Sequence, residues 1–182
     1  MTRGAKLAVT GTIVLLVAVV LAGWLWTRRR AGSSLRAGTG SLVVEWRGSF
    51  HGRMELPAQL NWCPVTRVGV LEAVSGDSGV AIVLYERNAL TGGSHPILAS
   101  AVAATAPRPV AVAAMRWIRL ERDTALAGFR ATSGTVGVHL VPGKISGTLD
   151  ARMHSVSGTD SLVVRAAFRG VPVVATAVGC GS

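Results

Sequence analysis

Cysteine is nearly absent: the 182-residue chain holds two, Cys63 and Cys180. That excludes a disulfide-dense mini-scaffold, and neither cysteine has the close neighbour of a zinc site or a CxxC redox pair. Acidic side chains are also few, 9 against 19 Lys and Arg, and aromatic residues reach only 5%. Apolar residues, by contrast, make up 49%, with 22 Gly. So much apolar surface excludes a disordered or fibrous chain, which lacks the means to build a core.

The cations are unevenly spread. Residues 1–40 carry Arg3, Lys6, Arg28, Arg29, Arg30 and Arg36 and no acid, while the remaining 142 residues hold 13 basic and 9 acidic side chains. A nucleic-acid surface needs cations clustered on the domain with base-stacking rings between them. That pattern is missing, so no nucleic-acid partner is expected. The bracketing cations suit anionic lipid headgroups instead.

Between those cations, Leu7 to Trp26 reads LAVTGTIVLLVAVVLAGWLW, twenty residues without a charge. At about 1.5 Å per residue such a helix spans the roughly 30 Å hydrocarbon core of a bilayer. Trp24 and Trp26 fall at the interface, where amphipathic rings settle, and Arg28, Arg29 and Arg30 stop the segment. The stretch exceeds the 7–15 residues usual in a signal peptide, which favours a retained anchor. No ionisable residue lies inside it to relay protons or ligate a pigment. Ala18, Ala22 and Gly23 offer a small-residue face for close helix packing. The expected organisation is a tail (1–6), a transmembrane helix (7–27), a basic then Gly/Ser-rich linker (28–40) and a β-domain (41–182).

Which side of the membrane the β-domain occupies is contested. Four arginines follow the span against two cations before it, which favours the cytoplasm. A bridge between Cys63 and Cys180 would instead favour an oxidising, periplasmic space.

From Ser41 the hydrophobic period becomes two. Val44 to Leu56 reads as one long half-buried strand bent at Gly48, and Val68–Val74 with Val80–Glu86 as a hairpin around Ser-Gly-Asp-Ser-Gly. Further strands are expected at Pro96–Ala103, Ala111–Leu120, Ala127–Thr132, Thr135–Val141, Lys144–His154 and Leu162–Ala177, with one helical turn at Thr124–Gly128. Turn signals separate them, among them Ser133-Gly and Pro142-Gly143. The fold class is an all-β antiparallel sandwich or barrel, and the sequence leaves the two open.

Candidate chemistry is thin. Gly76-Asp77-Ser78-Gly79 matches the tetrad around a serine-protease nucleophile, but a hairpin turn accounts for it, and the nearest upstream base, His51, is 27 residues away. His51, His95, His139 and His154 show no metal-ligand spacing and read as exposed or edge-strand residues. Glu45, Glu55, Glu72, Asp150 and Asp160 form no local acid–base pair, while Trp46, Trp62 and Trp117 read as core. Cys63 and Cys180 are either a bridge or packed thiols. No catalytic residue, metal or cofactor is expected, so the chain does not read as an enzyme.

An apolar span, an arginine stop and a β-domain together resemble, in architecture, small single-span accessory subunits of bacterial bioenergetic complexes, including those around photosynthetic reaction centres. The resemblance implies a structural role beside integral subunits of a complex in the bacterial inner membrane. An alternative is an anchored binding module that recruits a soluble protein, peptide or glycan, for example along an exposed edge at Val171–Ala177.

Overall fold

A computed structural model describes residues 40–119, 125–175 and 180. The expected membrane helix lies outside these residues, with Ala18, Ala22, Gly23, Trp24, Trp26 and Arg28, Arg29 and Arg30. Among the described residues no helix is long and apolar enough to cross a membrane.

The described chain is β throughout, apart from one short helix. In order come β1 (Gly40–Gly48), β2 (Gly52–Cys63), β3 (Val68–Ser75), β4 (Ser78–Tyr85), β5 (Gly93–Pro96), α1 (Ser100–Ala103), β6 (Val110–Arg119), β7 (Ala125–Val141), β8 (Lys144–Ser155) and β9 (Ser161–Ala175). Alternation explains the strands: Leu42, Val44 and Trp46 of β1 point inward while Glu45 and Arg47 point out. The same parity buries Val80, Ile82 and Leu84 of β4 and Leu162, Val164, Ala166 and Phe168 of β9.

Strands neighbour one another in the order β7-β6-β4-β3-β2-β1-β9-β8, and β8 pairs back onto β7. That last pairing closes an eight-stranded antiparallel barrel and decides against a sandwich. Eight strands enclose just enough room for side chains, and Leu42, Leu60, Leu71, Ile82, Phe129, Leu149, Met153 and Phe168 fill it, each at most 2% exposed.

Closure depends on two long strands that change neighbours. The first part of β7 pairs with β6 and the second with β5, while β8 pairs with it from Phe129 to Val141. The switch falls at a bulge near Ala131 and Ser133. Gly134 sits there at φ +135°, and a Cβ on it would lie 2.1 Å from the Asp150 carbonyl oxygen. β9 pairs with β1 as far as Arg169 and then runs parallel to Leu60–Trp62 of β2.

Several sequence expectations are corrected here. Val44–Leu56 is a hairpin, not one bent strand: Gly48 at φ +144° begins a reversal, and Gly52 leaves room for the Trp46 indole, which a Cβ would meet at 2.3 Å. Ser133-Gly134 is the bulge inside β7 rather than a turn between two strands. Thr124–Gly128 holds no helical turn, since β7 is already extended from Ala125. Pro96–Ala103 is no strand; β5 ends at Pro96, which has no amide to donate, and Ser100–Ala103 coils into α1. The Val171–Ala177 edge is not open where it is described, because Val173–Ala175 pair with β2.

Candidate functional site

The barrel has two rims of different composition. The upper rim carries the turns after β1, β3 and β8. There Trp117 stacks on Phe129 with ring centroids 5.2 Å apart, lies 4.9 Å from Trp46, and meets Phe50 edge-on at 6.5 Å. The Trp46 indole nitrogen is buried without a hydrogen-bond partner. Trp46 and Trp62 are buried as expected, and Trp117 is half-buried in this cluster.

The lower rim carries Gly40, the turns after β2 and β7, and the segment after β4. Its chemistry begins with strand parity. Continuing Val80, Ile82 and Leu84, the next inward position of β4's line is Glu86, which sets a carboxylate in the barrel mouth. His95 of β5 faces it, with Nε2 2.8 Å from Glu86 Oε1. Thr91 donates its amide to the same oxygen at 3.1 Å and its hydroxyl to Oε2 at 2.9 Å. Both residues of the pair are 1% exposed. The other ring nitrogen of His95, Nδ1, is buried without a hydrogen-bond partner.

Arginines bind the surrounding backbone. Arg108 Nη1 donates to the carbonyls of Thr66 at 3.3 Å and Glu86 at 3.2 Å, and its guanidinium lies 5.6 Å from the centre of the Tyr85 ring. Arg67 donates to the Arg87 carbonyl at 2.7 Å, and Arg87 donates to the Arg108 carbonyl. At the end of β2 Cys63 is joined to Cys180 by a disulfide, with Cα atoms 5.5 Å apart, linking β2 to a residue 117 positions later.

An imidazole oriented by a carboxylate is two parts of a nucleophile-activating triad. The third part is missing: no hydroxyl or thiol meets Nδ1, and the ring has no route to solvent. The arrangement therefore ties the β4–β5 segment to the barrel. Among the described residues no three His, Cys, Asp or Glu side chains are grouped to hold a metal ion. Depressions on the outer wall are shallow, one of about 370 Å³ beside Glu45, Arg47, Val163 and Arg165 and one of about 330 Å³ beside Arg47, Arg152 and His154.

Of the sequence candidates, His51, His139 and His154 are exposed, whereas His95 is buried, against expectation, because its partner carries it inward. Gly76 at φ +58° makes the Gly-Asp-Ser-Gly tetrad a hairpin turn. Glu45 pairs with Arg53 at 3.6 Å and Asp150 with Arg165 at 3.2 Å, all on the outer wall. Glu86 went unnoticed in the sequence, although an acid at the next inward position of a buried strand was the available signal. No family model, curated protein or solved structure matches this chain.

Proposed function

We propose that the chain is a non-enzymatic, single-pass membrane protein, a structural or accessory subunit of a larger bacterial membrane complex of photosynthetic or respiratory type. One observation carries the reading: a closed barrel with a filled interior follows, in sequence, an apolar run long enough to span a bilayer. Such a domain offers rims and an outer wall for contact, and the Glu86–His95 pair is buried inside it. The closed sheet and the paired end of β9 favour this role over recruitment of a peptide by strand addition.

The Cys63–Cys180 bridge supports an orientation with the barrel on the oxidising, periplasmic face of the inner membrane. We weigh it above the arginine flank, because charge bias in flanking segments is a tendency that other determinants override.

The test is extraction of native membranes in mild detergent, size-resolved native separation and mass spectrometry of what co-migrates. Stoichiometric co-migration with a large assembly is the expected outcome and names the complex. Migration near 18.8 kDa plus detergent sinks the reading.

A further inference from the structure

The lower rim has a surface composition of its own. Val65 stands at the tip of the turn between β2 and β3 and is 79% exposed, in a position where turns ordinarily place polar residues. Val141 (42%), Leu140 (36%) and Val174 (46%) are exposed along the same end. Among them stand the exposed cations Arg67, Arg87, Lys144 and Arg169. Contacts join these pieces into one surface: Glu86 donates its amide to the Arg67 carbonyl, Val173 donates to Gly143, and Lys144 lies opposite Pro172.

No described carboxylate is exposed on this rim. Among the described residues Glu86 is the only acid there, and its pairing with His95 and Thr91 keeps it inside. The other described acids stand elsewhere: Glu45, Glu55, Glu72 and Asp150 on the outer wall, Asp77 and Asp160 in upper-rim turns. The upper rim also exposes a valine, Val156, but it is flanked by that aspartate-bearing turn.

Apolar tips among cations, without acids, match the interface of an anionic bilayer, where rings of phosphate lie just above hydrocarbon. The chain ahead of the barrel points the same way. Gly40 begins β1 at this rim, and residues 27–39 separate it from Trp26. On the anchor reading, a short connection raises the local concentration of this rim at the headgroups, where weak contacts become sufficient for seating.

We propose that the lower rim is a membrane-seating surface: Val65, Val141 and Val174 enter the interfacial layer of an anionic bilayer, and Arg67, Arg87, Lys144 and Arg169 contact lipid phosphates. The inference rests on the anchor reading of Leu7–Trp26. It adds that the barrel lies upright on the bilayer and presents its aromatic end away from it.

The experiment uses the full chain reconstituted in vesicles, with an environment-sensitive fluorescent amino acid at Val65, at Val141 or, as the control, at Val156. Brominated lipids report depth, with and without phosphatidylglycerol. Quenching at 65 and 141 is expected to exceed that at 156 several-fold, and to fall in zwitterionic vesicles and in the Lys144→Glu, Arg169→Glu variant. Equal quenching at all three positions, or none, in a chain that resists alkaline extraction overturns the seating while leaving the anchor intact. Release by alkali overturns both. Quenching that ignores phosphatidylglycerol and the charge reversal removes the lipid-phosphate contacts. Near-ultraviolet circular dichroism of each variant checks that the barrel is folded.

Discussion

At the upper rim, Trp46, Trp117, Phe129 and Phe50 close the barrel with packed rings; at the lower rim, Glu86, His95, Thr91, Arg108 and a disulfide close it with directed bonds. Ring packing is graded, since its free energy follows buried area and shape. A buried polar network is closer to all-or-none, because each group left without its partner keeps its desolvation cost. The lower rim is also where β1 begins, at Gly40, so directional and covalent ties gather at the end where the described chain enters the barrel.

The largest effect that would break this contrast is loss of the bridge. Cys63→Ser with Cys180→Ser frees a separation of 117 residues, and chain entropy puts the loss near 5 kcal/mol. Denaturant unfolding of the oxidised protein and the variant measures it. A loss below about 1 kcal/mol would mean that packing, not the covalent tie, holds the lower rim.

Next comes the aromatic end. Phe129 is 2% exposed under the Trp117 ring, and Phe129→Ala is expected to cost about 4 kcal/mol by transfer and cavity terms. The near-ultraviolet signal of the tryptophans should weaken in the same variant, and an unchanged signal would show that the stack does not depend on Phe129.

The polar network is sharpened by a pair of variants. His95→Leu alone leaves the buried Glu86 carboxylate with its Thr91 bonds but without the imidazole and should cost about 3 kcal/mol, whereas Glu86→Leu with His95→Leu should return to within about 1 kcal/mol of wild type. Should the double variant be as unstable as the single one, the pair and Thr91 are themselves what anchors the β4–β5 segment. Hydrogen exchange at Thr91 separates local release from global loss.

The smallest effect belongs to neither rim. Arg165 and Asp150 are 80% and 65% exposed in their side chains, and Arg165→Ala should change stability by less than about 0.5 kcal/mol. A larger change would bring the outer wall into the comparison.

Much of the wall was legible from residue order, because Leu42, Val44 and Trp46, or Val80, Ile82 and Leu84, announce a two-sided strand by themselves. Barrel closure was not. It rests on β7 running through Ser133-Gly134, a dipeptide that reads as a turn when nothing shows Asp150 lying across from it. The lower-rim network was hidden for a related reason: Glu86 and His95 are nine residues apart with a Gly-Gly segment between, and only the barrel mouth brings them to 2.8 Å. The cysteines could be named as a pair, while their joining depended on β9 crossing from β1 to β2.

That crossing has a mechanical consequence. β1 lies between β2 and β9, hydrogen-bonded on both flanks, and the far ends of those two flanking strands pair with each other and lead into the same disulfide. A pull on Gly40 along the axis of β1 therefore loads both of its ladders together, in shear, beside strand ends joined by a covalent bridge. Strands loaded in this geometry give way together rather than peeling bond by bond, so a pull along β1 meets the fold in a more resistant direction than a pull across it.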